Sequence, residues 1–160
     1  MVERGIADPD RLAVGGWSNG GYLTNCVVAA TDRFKAASSG AGVVDMTIQW
    51  AIEDTPGHVV NYMEGLPWEK TQAMIDASPL YDLDKITTPM LIHVGEGDER
   101  VPAAHAHALY RGLADYLDVP CQLVVYPNTG HGLSSRTYRE AKLKWDFAWL
   151  EHYVPMDTEE

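Results

Sequence analysis

The hydrophobic residues of this chain fall into short apolar runs separated by longer stretches of helical spacing. Arg11 to Gly16 (R-L-A-V-G-G) is an apolar run bounded by the turn D-P-D and by glycines, which predicts a buried strand. Asn19 to Thr31 follows as a helix: its first residues are poor helix formers, but L-T-N-C-V-V-A-A buries a face, as helices covering a parallel sheet do. Lys35 to Ala41, rich in small residues, predicts a second strand. Pro89 to Val94 (P-M-L-I-H-V) and Cys121 to Tyr126 (C-Q-L-V-V-Y) predict two more. Between these last two, Pro102 to Leu117 reads as a helix with Pro102 in its first turn, and Thr137 to Tyr153 as an amphipathic closing helix whose apolar face carries Leu143, Phe147 and Leu150.

Asp45 to Ser78 breaks the alternation. Its mixture of Met46, Trp50, Tyr62, Met63, Trp68 and Met74 with Pro56, Gly57, Gly65 and Pro67 predicts short helices and loops outside the sheet. Strands separated by helices need crossover connections, so the fold class is α/β, a parallel sheet with flanking helices in one domain over residues 1–160. No internal repeat or low-complexity linker divides it.

Composition narrows the partners. With 46% hydrophobic and 22% charged residues the chain has the material for a core, and its net charge of −11 opposes binding to nucleic acid or to anionic membrane surfaces. No apolar stretch approaches a membrane span, and the first ten residues lack the basic start and apolar run of a signal peptide, so a cytoplasmic location is expected. Cys26 and Cys121 sit in apolar sequence and read as buried free thiols.

The chemistry centres on Gly16 to Gly20, G-W-S-N-G, a match to G-x-S-x-G placed between a predicted strand and a predicted helix. In such an elbow the serine stands in a strained turn, and Gly16, Gly20 and Gly21 supply the small residues that strand and helix require around it. A serine hydroxyl needs a histidine to take its proton, and the histidine needs a carboxylate to fix its tautomer. Asp98, just beyond P-M-L-I-H-V, and His131, just beyond C-Q-L-V-V-Y, follow Ser18 in the order Ser, Asp, His. All three lie at carboxyl ends of strands, where open α/β sheets place their ligands. Glu96 and Glu99 flank Asp98 and are alternatives for the acid on chemistry alone. His105 and His107, two apart on a helix, point to different sides and do not suggest a metal site; His93 inside a strand reads as a packed core residue, and His58 and His152 carry no motif.

From about Pro9 to Val154 the chain resembles the catalytic domain of the prolyl oligopeptidase family of serine peptidases, especially its acylaminoacyl-peptidase and dipeptidyl-peptidase branches. The matching stretches are D-P-D-R-L-A-V-G-G-W-S-N-G-G-Y, S-P-L-Y-D, T-P-M-L-I-H-V-G-E-G-D-E-R-V-P and V-V-Y-P-N-T-G-H-G. The resemblance implies an α/β-hydrolase fold with Ser18 as nucleophile, His131 as general base and then acid, and Asp98, which alone matches the motif, as the orienting carboxylate. It implies that the main-chain N–H of Asn19 forms half of an oxyanion hole, and that Met46, Trp50 and Tyr62, with Arg100 and Val101, belong to the substrate pocket; Arg100 would either line it or pair with a nearby carboxylate. The implied substrate is a small peptide or an ester, with no metal and no cofactor; a carboxylesterase, or a non-catalytic self-associating remnant, are the alternatives.

The family places several strands and a second oxyanion donor, near an H-G-G type segment, ahead of the nucleophile, and many members carry a preceding β-propeller. No H-G-G precedes Ser18 here. The expectation is therefore a partial, N-terminally truncated sheet in which the strand before Ser18 is a bare edge, and a homodimer that pairs the uncovered edge or apolar face.

Overall fold

The computed structural model describes residues 1–55 and 57–155. Four parallel strands, β1 (Ala13–Trp17), β2 (Ala36–Gly40), β3 (Met90–Gly95) and β4 (Cys121–Tyr126), stand in the order β1-β2-β3-β4, so each crossover advances the chain one strand in the same direction. The register runs Ala13 opposite Ala36, Ala37 opposite Met90, and Met90 opposite Cys121. β1 is at an edge and has one partner, β2, among the described residues.

Alternation along β3 sorts the two faces. Met90, Ile92 and Val94 join Val28 of α1 (Asn19–Ala30), Leu83 and Ile86, and Ala106, Leu109 and Leu113 in the main core. Leu91 points the other way, onto Trp149 of α6 (Arg136–Tyr153). At roughly 1.5–3 kcal/mol per fully buried Leu, Ile, Val or Met side chain, the first face carries most of the hydrophobic stabilisation. A third cluster, Ala41, Val43 and Val101 with Trp17, Tyr22 and Met46, closes the sheet at the carboxyl ends of the strands, directly beneath the site.

Residues 45–78 do leave the sheet, as α2 (Met46–Ile52), α3 (Gly57–Met63) and α4 (Thr71–Asp76), followed by a 3-10 segment at Pro79–Lys85; Pro56 of that excursion, and Met156 to Glu160, lie outside the described residues. Asp45 caps α2 by accepting from the Ile48 N–H at 2.8 Å.

Three expectations need correction. The helix expected over Pro102–Leu117 begins later and changes pitch: α5 spans Ala104–Tyr110 and continues as wide π turns over Arg111–Tyr116. Pro102 lies ahead of the first turn, where its carbonyl accepts from His105 N–H at 3.0 Å. Gly112 meets Leu83 so closely that a Cβ would be 2.5 Å from Leu83 Cδ1, and the wide turns keep both Leu109 and Leu113 in the core. Of the face expected to close the fold, Leu150 packs onto the cluster of Leu91 and Trp149, but Leu143 and Phe147 are 56% and 64% exposed. Asp146 turns toward the sheet instead, accepting from Ser38 Oγ at 2.7 Å, from His93 Nε2 at 3.1 Å and from Lys142 Nζ at 2.5 Å. Finally, Cys26 and Cys121 are free but half-buried rather than buried.

Candidate active site

The turn from β1 into α1 is built around Ser18, whose φ of 61° and ψ of −119° put a non-glycine residue in a strained conformation, at a cost of about 1–3 kcal/mol. The surroundings hold it there. The Ser18 N–H donates to Gly40 O at 2.9 Å, and Ser18 O accepts the first helical bond from Tyr22 N–H at 2.9 Å. Gly16 and Gly21 permit the turn: a Cβ on Gly16 would be 2.5 Å from the Gly20 backbone, and one on Gly21 would be 2.3 Å from Gly40 O. Gly20 is not required in this way, since a Cβ there meets nothing within 4 Å.

Ser18 occupies the N-cap position of α1, where a serine hydroxyl ordinarily accepts from the first turn, yet its side chain makes no capping bond. The hydroxyl is committed to His131: Ser18 Oγ and His131 Nε2 are 2.8 Å apart. The opposite ring nitrogen, Nδ1, is 2.8 Å from Asp98 Oδ2 and 3.1 Å from Oδ1. A carboxylate can only accept, so Nδ1 carries the proton and Nε2 presents its lone pair to the serine O–H.

Asp98 is fixed in turn. Its side chain is fully buried, and Oδ1 accepts the main-chain N–H groups of Arg100 at 3.0 Å and Val101 at 2.8 Å. Of the flanking acids, Glu96 spends Oε2 on the Asn128 N–H at 3.0 Å, and Glu99 contributes its main-chain carbonyl to Asp54 N–H. The acid and base loops are also tied to each other: Gly97 N–H donates to Thr129 O at 2.9 Å, and a Cβ on Gly95 would stand 2.3 Å from Gly130 O.

A cavity of about 560 Å³ opens beside the serine. Of the residues expected at the site, Ser18, Asn19, Met46, Tyr62, Arg100, Val101 and His131 line it. Tyr62 does so at the rim, being 79% exposed. Trp50 does not belong to the lining; it packs edge-on against Trp68 with ring centroids 5.8 Å apart, because on α2 the residue that shares the inward side with Met46 is Gln49. Arg100 does both things considered for it, lining the cavity while its guanidinium pairs with Asp54 through Nε at 2.5 Å and Nη2 at 3.1 Å. That pairing holds the Asp54 carboxyl below the usual carboxylate range. Asn19 is the first residue of α1, so its main-chain N–H has no intrahelical acceptor and stands at the positive end of the helix.

The sequence reading passed over Tyr22, Val43, Gln49, Thr55, His58, Val59 and Met63, which also line the cavity. Their spacing carried a partial signal: Met46 and Gln49, and His58 and Tyr62, are helical neighbours three and four apart. His58 Nδ1 is 2.9 Å from Oε1 of Glu53, whose buried carboxyl is pushed up by desolvation. Of the other histidines, His107 and His152 are exposed and two are packed. His93 is fully buried between Asp146 and the Tyr126 hydroxyl, and His105 accepts the Val44 N–H while burial lowers its pKa to about 4. Among the described residues no group of three or more His, Cys, Asp or Glu is placed to hold a metal ion.

The sequence and the fold are shared with known peptidases. The chain is 32% identical over 151 residues to the uncharacterized peptidase YuxL of Bacillus subtilis, covering 92% of this chain and 23% of that protein. It is 33% identical over 141 residues to the acylamino-acid-releasing enzyme of Arabidopsis thaliana, covering 82% of this chain and 18% of the other. A Mycobacterium tuberculosis puromycin-hydrolyzing peptidase superposes with a TM-score of 0.91 at 28% identity, over 98% of this chain and 24% of that one. The acylaminoacyl peptidase of Pyrococcus horikoshii shares the fold with a TM-score of 0.87, over 99% of this chain and 27% of its own. The chain thus spans about a quarter or less of the curated relatives it matches. The family model of the prolyl oligopeptidases matches residues 1–157, and the chain belongs to that family.

Proposed function

We propose that the chain is a serine hydrolase that cleaves acyl bonds of small peptide or ester substrates through an acyl-enzyme on Ser18. The observation that carries this reading is the unbroken relay from Ser18 Oγ through His131 to the buried Asp98 carboxylate. In the first step His131 Nε2 takes the hydroxyl proton as Oγ attacks the carbonyl carbon. Asp98 keeps Nδ1 protonated and stabilises the imidazolium that forms. The carbonyl oxygen becomes an oxyanion, for which the Asn19 N–H supplies one donor. His131 then returns the proton to the leaving group, and water repeats the sequence to release the acid and restore Ser18.

The peptidase reading is supported by relatives that include acylamino-acid-releasing enzymes and a dipeptidyl-peptidase 5 of Porphyromonas endodontalis. Steady-state hydrolysis of N-acetyl amino-acid anilides beside short nitrophenyl esters tests it. Turnover of both classes supports a peptidase, and turnover of esters alone supports a carboxylesterase.

We propose that the chain also self-associates. Strand β1 has no partner on its outer side among the described residues, and Leu143 and Phe147 are exposed on α6, whose Lys142 Nζ is 6.0 Å from the Trp17 ring at the end of that strand. Unpaired backbone next to apolar surface is a docking edge, and a second copy of the chain about a two-fold axis would cover both. No helix among the described residues is long and apolar enough to cross a membrane. Two free thiols with no disulfide among the described residues favour the reducing cytoplasm.

A further inference from the structure

The wall of the cavity includes two side chains with hydrogen-bond acceptors, His58 and Gln49. His58 lines it, and its Nδ1 faces two acceptors, Glu53 Oε1 at 2.9 Å and Thr55 O at 3.3 Å. Nδ1 therefore carries the proton in the neutral ring, which leaves Nε2 as a lone-pair acceptor. Gln49, also in the wall and 1% exposed, has its amide orientation set by two acceptors: Nε2 donates to Glu53 Oε2 at 2.6 Å and to Arg100 O at 2.7 Å. Its Oε1 is the remaining acceptor of the amide, and it is buried with no hydrogen-bond partner among the described residues. A buried amide oxygen left unpaired is destabilising unless a ligand satisfies it. The one guanidinium in the wall, Arg100, is already held by Asp54.

The same wall carries the apolar surface of Tyr22, Val43, Met46 and Val59. Resting on the hydrolase reading above, we infer that Gln49 and His58 select a substrate side chain that is apolar along its length and ends in an uncharged hydrogen-bond donor, the phenol of tyrosine fitting best. Carboxylate-tipped side chains are disfavoured, since Glu53 lies behind both acceptors. A polar site of this kind rejects the analogue that lacks the donor, because its own groups are then left unpaired.

The test uses binding, so that it does not depend on turnover. N-acetyl-tyrosinamide and N-acetyl-phenylalaninamide, which differ by one hydroxyl, are titrated by NMR into the full chain carrying Ser18→Ala. The tyrosine ligand is expected to bind about 5- to 10-fold more tightly, the size of one net hydrogen bond. In Ser18→Ala combined with His58→Phe, the ratio is expected to fall within about twofold of unity. A ratio of one or less in the single variant, a ratio unchanged by His58→Phe, or no binding of either ligand at millimolar concentration overturns the inference. Failure of the hydrolase reading appears separately, as absence of covalent reaction at Ser18 in the unsubstituted chain.

Discussion

The indole N–H of Trp17 donates to the main-chain carbonyl of His131 at 2.9 Å, so the residue before the nucleophile grips the loop that carries the base. The ring is seated with little freedom, because Gly40 lies against it: a Cβ there would be 2.1 Å from the Trp17 ring. Trp17→Phe keeps the ring and removes the bond. It is expected to cost about 1 kcal/mol in denaturant unfolding and to slow acylation of Ser18 by about tenfold, through misplacement of His131 Nε2. Equal acylation rates would show that the loop is positioned without it.

The acid offers a sharper separation of geometry from chemistry. Asp98→Asn preserves size and can still accept the Arg100 and Val101 N–H groups, but it no longer selects the Nδ1–H tautomer of His131. Hydrolysis is expected to fall about 10,000-fold with little change in thermal midpoint, by the logic of tautomer control in serine hydrolases. Stopped assays beside a melting curve measure both.

The glycines around Ser18 are predicted to differ. Gly21→Ala forces a Cβ to 2.3 Å from Gly40 O and should destabilise by about 3 kcal/mol, whereas Gly20→Ala, inside α1 with open space, should stabilise by about 0.5–1 kcal/mol. Urea unfolding of the two variants beside the unsubstituted chain decides this, and similar losses in both would contradict it.

Asp146 makes stability depend on acid pH. Burial raises its pKa, but hydrogen bonds from His93, Lys142 and Ser38 outweigh that and hold the carboxyl at about 2. The ordinary value in an unfolded chain is about 3.9. The folded pKa is depressed, so the contribution is fully present above about pH 4 and is lost as pH falls toward 2. It amounts to about 2 kcal/mol. Asp146→Asn should lower stability at pH 7 and flatten the dependence between pH 4 and 2; an unchanged slope by denaturant titration would contradict it.

Self-association is predicted at the β1 edge. Light scattering at micromolar concentration should give twice the chain's mass, and Leu143→Glu with Phe147→Lys should give a single chain by placing charge on the exposed flank of α6. A single-chain mass for the unsubstituted protein would sink the dimer.

What could be read in the sequence followed from physical locality. Ser18 follows β1 directly, and Asp98 and His131 lie within five residues of the carboxyl ends of β3 and β4, so strand ends marked out the loops, while the family motif separated Asp98 from Glu96 and Glu99. The pocket wall was less legible because α2 and α3 are seven residues each, too short for periodicity to separate the inward side of Met46 and Gln49 from Trp50. Gln49 and His58 were missed for a related reason: neither carries a motif, and their role arises from Glu53 and Arg100 O, contacts made only in the folded chain. On α6 the apolar residues Leu143 and Phe147 suggested the wrong inward face, since a buried polar cluster at Asp146 overrode the hydrophobic pattern.

The relay from Ser18 to Asp98 is tested most directly by the mass of the intact chain after exposure to a fluorophosphonate, followed by peptide mapping. One adduct on Ser18, formed far faster than in His131→Ala and absent in Ser18→Ala, is the result expected. An unsubstituted chain that labels no faster than Ser18→Ala would contradict the account, leaving a hydrolase fold in which the three residues meet without reacting.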